Sequence, residues 1–307
     1  MKRRLIPLVL VCLCGWPGKG VAQSGRPGWG SIPYADEIGT GVAFRVWAPD
    51  ATGVSVAGEF NGWNTAANPL ALENATSGVW SADVAAARPN DNYKYVVNGN
   101  LWRSDPRARV INSSDHGNSV VLAADGFDWG DDASGIGDAH DWVIYEAHVG
   151  TFAGPNGTFG SFTNRLDYLS ELGVNAIELM PINEYPTTTS WGYNPAYPFA
   201  LEFDYGPPDA LKGLVKQAHA RGMQVLLDVV HNHWDGGSSL WQFDTTNAPG
   251  PYFYFSAPYA DTWWGPRPDY GRAEVQEYVF DNFRVWLDEY RLDGFRWDTP
   301  KYIFFTA

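Results

Sequence analysis

The sequence predicts a multidomain chain: a small all-β sandwich of immunoglobulin-like type, then an α/β domain built on parallel strands. Three observations predict it. From Gly41 the chain reads as short alternating segments, rich in β-branched and aromatic residues and separated by turn residues. A Gly- and Asp-rich stretch over residues 125–140 then breaks the pattern. After Asp141, apolar runs of strand length alternate with amphipathic helical stretches, the signature of parallel strands joined by helical crossovers.

The chain opens with Lys2, Arg3 and Arg4, then an apolar run over residues 5–13, the helix breakers Gly15 and Pro17, and the small residues Gly20-Val21-Ala22. This is the pattern of a secretory signal peptide, 1–22, cleaved after Ala22. The apolar run falls well short of the ~20 residues that span a bilayer. The mature protein is therefore expected to be secreted or periplasmic, with no membrane attachment after cleavage. Both cysteines, Cys12 and Cys14, lie in this segment. A mature chain without them has no disulfide, no thiol nucleophile and no Cys-based metal site.

Residues 23–37 are rich in Gly, Pro and Ser and read as a linker. The sandwich is assigned to 38–124, with strands expected at 42–48, 54–57, 79–84, 93–97 and 119–122. A second linker is expected over 125–140. In the α/β domain, 141–307, strands are expected at 142–147, 176–180, 224–228 and 294–298, and helices at 164–172, 208–221 and 274–289. Pro208 sits in the first turn of its helix, and Gly222 stands where a C-cap belongs. This order fits a doubly wound sheet or part of a (β/α)8 barrel. No Gly-rich nucleotide fingerprint follows the first strand, which weighs against a nucleotide-dependent α/β enzyme.

The net charge of -14 argues against a nucleic-acid partner, which needs clustered Lys and Arg. Aromatic residues are abundant, at 15%. They serve either core packing or sugar-binding surfaces, and composition does not separate the two.

In a (β/α)8 barrel, chemistry collects at the C-terminal ends of the strands. Polar residues do collect there: His148 after the first α/β strand, then Glu184, Trp191 and Tyr193 after the second. Asp228, Asn232 and His233 follow the third, and Arg296 and Asp298 the fourth. Residues two apart on a strand share a face. An Arg beside an Asp favours the ionised acid, and a retaining glycosidase needs an ionised carboxylate as nucleophile. Read alone, the same pair fits a structural ion pair. The Asp, Asn and His after the third strand fit sugar hydroxyls, a metal or a hydrogen-bonded loop.

Four segments in order carry a resemblance. They are Ile144-Tyr145-Glu146-Ala147-His148-Val149-Gly150, Glu178-Leu179-Met180-Pro181 with Trp191-Gly192-Tyr193-Asn194-Pro195, Asp228-Val229-Val230-His231-Asn232-His233, and Gly294-Phe295-Arg296-Trp297-Asp298. Together they resemble glycoside hydrolase family 13, the α-amylase family, and within it the branching enzymes and their relatives. The resemblance implies that residues 141–307 are the first half of a (β/α)8 TIM barrel. It implies that Asp298 attacks the anomeric carbon and that Arg296 positions it. It further implies that Asp228 supports the site, that His233 bonds the bound sugar, and that Tyr193 gives that sugar a platform, with Trp191 nearby. Asn232 matches a position that helps bind structural calcium in many amylases. No cofactor is assigned, and metal is left open.

The first domain carries Phe44-Arg45-Val46-Trp47-Ala48-Pro49, Gly58-Glu59-Phe60-Asn61-Gly62-Trp63 and Tyr93-Lys94-Tyr95. It resembles a family 48 carbohydrate-binding module. That implies sugar contacts through Trp63, Lys94 and Trp102, or a module that only packs on the barrel.

The implied substrate is an α-1,4-glucan: starch, glycogen or a maltooligosaccharide. The implied activity is that of a 1,4-α-glucan branching enzyme, with an exported α-amylase, debranching or trehalose-releasing hydrolase as the alternative. A non-catalytic glucan-binding protein is the alternative of another class. The family's general acid/base Glu and a further Asp belong to later strands than the fourth, and the sequence stops at Ala307. The chain is therefore expected to be truncated, by a fragmentary gene model or a frameshift near Ile303, and to lack activity itself.

Overall fold

The computed structural model describes residues 22–113, 117–132, 137–187, 189–238, 240–246, 249–256 and 260–303. The expected signal peptide, apart from Ala22, lies outside the described residues. Among the described residues the first domain has eight strands: β1 (Gly30–Asp36), β2 (Gly39–Trp47), β3 (Val54–Gly58), β4 (Ala71–Leu72), β5 (Val79–Val84), β6 (Asn92–Val97), β7 (Leu101–Arg103) and β8 (Ser119–Val120). They form two antiparallel sheets, ordered β1-β2-β5-β4 and β3-β6-β7, with β8 pairing β6. The pleat turns Tyr93, Tyr95 and Val97 inward. Tyr93 meets Phe44 of the other sheet edge-on, at 5.0 Å between centroids. Its hydroxyl donates to the buried Asp105 at 2.6 Å.

The expected linker 23–37 is corrected here, because most of its second half is strand β1. Its register runs from Gly30 opposite Arg45 to Asp36 opposite Gly39. The strand escapes sequence reading because it is an edge strand carrying Pro33 and little alternation. Arg45 pins the preceding residues, donating to the carbonyls of Arg26 and Gly28 at 2.6 Å.

The second expected linker, 125–140, is likewise strapped down where it is described. Trp129 is buried, with Phe127 packed edge-on against it at 4.9 Å. Lys212 donates to Asp125 at 2.7 Å. Gly and Asp content disguised a segment held by its aromatics and carboxylates.

The second domain adds β9 (Ile144–Ala147), α1 (Val149–Phe152), α2 (Phe159–Thr163), α3 (Leu166–Glu171), β10 (Ala176–Leu179), β11 (Asn183–Glu184) and β12 (Tyr197–Leu201). Then come α4 (Pro208–His219), β13 (Gln224–Val229), α5 (Ala273–Arg284) and β14 (Gly294–Trp297). Its main sheet is ordered β14-β13-β10-β9, and every pairing is parallel. Neighbours in space follow the chain order without reversal. A doubly wound sheet reverses at a switch point, so this is the winding of a barrel's first four strands. Strand β13 is buried along its whole length. Helix α4 turns Leu211, Leu214, Val215 and Ala218 into the core, and α5 turns in Val275, Tyr278, Val279 and Phe283.

Two helices differ from expectation. The helix expected over 164–172 is split, because Asn164 caps α2 before α3 begins. The helix expected over 274–289 leaves α-geometry after Arg284 and continues as a π turn through Glu289. The wider turn buries Trp286 completely, and its indole donates to Asn282 Oδ1 at 3.0 Å.

The two domains share one apolar core. Trp47 of β2 packs edge-on against Tyr252 at 5.3 Å. The Tyr278 hydroxyl donates to the Pro106 carbonyl at 2.7 Å. Such an aromatic pair adds about 0.5–1.5 kcal/mol beyond the area it buries.

Candidate active site

Strands β13 and β14 lie in a register that sets Asp228 opposite Arg296. Arg296 Nη1 donates to both oxygens of Asp228, at 3.0 and 2.9 Å, and to Asp298 Oδ1 at 2.9 Å. The Tyr193 hydroxyl donates to Asp228 Oδ2 at 2.7 Å. Asn232 Nδ2 donates to Asp298 twice, to its backbone carbonyl and to Oδ2, both at 2.8 Å. Asp298 thus has Oδ1 held by Arg296 and Oδ2 held by Asn232. Asp298 continues the ladder past the strand, its N–H reaching the Val229 carbonyl at 3.1 Å. Thr299 then adopts a left-handed backbone, φ 39, uncommon for a residue branched at Cβ. That sharp exit leaves the Asp298 carboxylate at the end of the strand.

The electrostatics of this network follow burial. Asp228 is fully buried, which raises its pKa against the bonds from Tyr193 and Arg296 that lower it. Burial and the Asp228 bond push the Tyr193 phenol up, so it stays a donor. Burial opposes the Arg296 cation, but its bonds to Asp228 and Asp298 outweigh that and raise its pKa.

His233 is buried, and burial lowers its pKa. Its Nδ1 contacts Asn232 Oδ1. With the Asn232 amide nitrogen given to Asp298, that oxygen accepts from Nδ1–H. The Nε2 of His233 is buried and makes no well-aligned hydrogen bond among the described residues, although the Tyr193 backbone lies close enough to favour the protonated ring. A buried polar atom left unpaired costs about 1–3 kcal/mol, and a ligand hydroxyl would satisfy it. The Trp264 ring stands 5.9 Å from the His233 ring and 6.0 Å from that of Tyr302. This aromatic wall was missed in the sequence. The adjacent pair Trp263-Trp264, both exposed, was its only signal.

Other strand-end residues go elsewhere. Trp191 is 72% exposed, in the loop just before Tyr193. His148 bonds the Tyr205 hydroxyl at 2.8 Å and the Ser190 carbonyl at 3.0 Å. Glu184 turns away: its Oε2 accepts the Phe203 N–H at 2.8 Å, close to the buried Glu202. Burial first, and then the Glu202 charge, push the Glu184 pKa up to about 9, and burial pushes Glu202 to about 7.

A structural calcium at Asn232 fits poorly. The Asn232 oxygen is committed to His233 and its nitrogen to Asp298. Glu146, Glu178 and Asp228 offer carboxylate oxygens within 4.8 Å of one another on the inner face of the sheet. That cluster flanks Arg296 and is accounted for as its charged surroundings.

On the first domain, Trp63 and Trp102 stand 6.1 Å apart with rings tilted by 46°. Lys94 lies beside Trp102 across β6 and β7, on the face opposite the core. With Asn118 they line a shallow depression of about 370 Å³. Trp63 is held at positive φ by the turn that begins at Asn61-Gly62. Burial, and then Arg103, lower the Lys94 pKa.

Comparison with known proteins agrees with both halves of this geometry. Residues 29–108 match carbohydrate-binding module 48 (isoamylase N-terminal domain), and residues 126–247 match the α-amylase catalytic domain. The chain therefore joins a carbohydrate-binding module 48 to the beginning of an α-amylase-family catalytic domain. Its relatives narrow the class. It is 36% identical to malto-oligosyltrehalose trehalohydrolase of Saccharolobus solfataricus, over 86% of this chain and 46% of that protein. It is 33% identical to the 1,4-alpha-glucan branching enzyme GlgB of Corynebacterium jeikeium, over 86% of this chain and 38% of that protein. A crystal structure of a putative alpha amylase from Salmonella typhimurium superposes with a TM-score of 0.78 at 30% identity, covering 91% of this chain and 45% of that one. The chain spans less than half the length of these relatives.

Proposed function

We propose that the parent enzyme cleaves α-1,4-glucosidic bonds with retention, through a covalent glycosyl intermediate on Asp298, and passes the glucan to another glucan, as a branching enzyme does. The observation that carries this reading is the two-sided grip on Asp298, Oδ1 by Arg296 and Oδ2 by Asn232. A carboxylate so fixed is ready for in-line attack without reorganising. In this reading Tyr193 and Trp264 bracket the sugar, and His233 Nε2 hydrogen-bonds one of its hydroxyls. Asp228 holds Arg296 and Tyr193 in place. Trp63, Lys94 and Trp102 form a separate glucan-holding face, the rings for the apolar faces of glucose and the ammonium for hydroxyls.

A retaining mechanism also needs a proton donor about 5 Å from the nucleophile. Among the described residues, Asp228 is committed to Arg296 and Tyr193, while Glu146 and Glu178 lie beyond it on the sheet. We therefore expect the 307-residue chain to bind glucan without turning it over. Export through residues 1–22 belongs to the same proposal.

The trehalose-releasing hydrolase is the second reading, favoured by the 36% identity to such an enzyme. Product analysis of a full-length parent on amylose separates them. New 1,6-linkages without new reducing ends support branching. Reducing ends without 1,6-linkages, or trehalose from maltooligosyltrehalose, overturn it.

A further inference from the structure

The geometry points to a second glucan-binding site, in the cleft between the carbohydrate module and the barrel, continuous with the Trp63–Trp102 face. The cleft has a volume of about 300 Å³, at the small end of the ~300–1,000 Å³ typical of ligand sites. Lys94 and Trp102 line both the cleft and the open depression, so one polymer chain can lie across the two. The far wall is barrel: Gly236, Ser238, Trp241 and Gln242, with Tyr197 at the side. Gly236, Ser238, Trp241 and Gln242 lie in the loop that follows His233, and Tyr197 opens strand β12 shortly after Tyr193.

The cleft is built rather than incidental. Arg103 fastens its floor, donating from Nε to the carbonyls of Gln242 and Phe243 at 3.0 Å and from Nη2 to that of Gln242 at 2.7 Å. The Asp50 N–H donates to Asp244 Oδ2 at 2.9 Å, and Asn98 donates to the Asp244 carbonyl at 3.1 Å. Module and loop therefore present one fixed wall. Ser238 is buried in that wall, and among the described residues its hydroxyl has no hydrogen-bond partner, a place that a sugar hydroxyl would fit.

The lining also selects the ligand. Trp102 and Trp241 offer aromatic surface, and Ser238 and Gln242 offer neutral donors and acceptors. The Arg103 cation is already spent on carbonyls. Lys94 is the other cation in the lining, at the edge shared with the open depression, so most of the cleft wall is neutral and aromatic and fits a polyhydroxyl chain. The inference rests on the reading that Trp63, Lys94 and Trp102 hold α-glucan, and it adds length selection to that reading. Two linked patches hold a spanning chain more tightly than either alone.

The test is calorimetric titration of the whole chain with maltotriose and maltoheptaose. Maltoheptaose is expected to bind roughly 10-fold or more tightly than maltotriose. Trp241→Ala should bring the two within about 2-fold. Trp241 also packs on Phe253, so the double variant Ser238→Ala with Gln242→Ala provides a milder second probe, each protein being checked by near-UV circular dichroism. Trp63→Ala should weaken both ligands. If folded cleft variants keep the full length advantage, or the unaltered chain shows none, the cleft site is wrong and the module reading survives. If neither sugar binds and Trp63→Ala changes nothing, the module reading itself falls.

Discussion

The two halves of this chain handle charge in opposite ways. The module's interior is aromatic and aliphatic, with Asp105 answered by Tyr93 and the Arg107 N–H. Its candidate binding face is two indole rings and one ammonium. The α/β half buries charge repeatedly: Asp228 under Arg296, Glu184 beside Glu202, and His219 between Asp132 and Asp293 at 2.9 and 3.0 Å. On the proposed function, the difference follows from what each task needs. Holding a neutral polymer calls for flat apolar faces that stay in water. Breaking an acetal calls for carboxylates whose orientation and protonation are fixed by their neighbours.

This contrast can be broken at its strongest point first. In a chain carrying the proposed activity, Asp298→Asn should lower turnover by roughly 10⁴–10⁶-fold, the scale of losing a nucleophile, while glycogen retention stays unchanged. Loss of retention would mean that the two halves are not separate in function.

A smaller effect is expected from pH, and only in the α/β half. Glu184 has its pKa raised to about 9 in the fold. A carboxyl raised above its unfolded value of about 4.3 contributes stability that is full below that value and lost as pH climbs toward 9. Thermal melts should therefore fall across that window, with Glu202, raised to about 7, adding to the slope. The isosteric Glu184→Gln should flatten much of this fall and melt higher than the unaltered chain at pH 9. An unchanged slope would remove Glu184 as its source.

The smallest effect belongs to the module face. Trp63→Ala should weaken glycogen binding by about 5–10-fold, equivalent to ~1–1.4 kcal/mol. The ring is partly exposed, so the melting temperature should barely move. A melting shift as large as the binding loss would make Trp63 a packing residue instead.

The sequence disclosed most where one strand's own residues set the geometry. Strands β13 and β14 read clearly because their residues are apolar until the polar end, and the Arg296–Asp298 spacing alone puts both side chains on one face. Strand β1 was hidden because an edge strand takes its pairing from β2 and needs no alternation of its own. The π turn after Arg284 was hidden because it answers to the burial of Trp286, a tertiary demand. Asn232 shows the same limit within the site. Its position matched a calcium-binding one, but in three dimensions its oxygen goes to His233 and its nitrogen to Asp298. Trp264 carries no periodic signal, and only the fold of its loop brings it against His233.

The ring of Trp47 against Tyr252 has a consequence for how the boundary between the two halves is understood. Ancestry places a border near residue 125, where one family ends and the other begins. Cohesion does not respect that border, because Trp47 finds its cover on the far side of it. A protease nick near residue 125 would cut the chain and leave the packing in place. The pieces would stay together until the whole unravels, so inheritance has two parts here and unfolding has one.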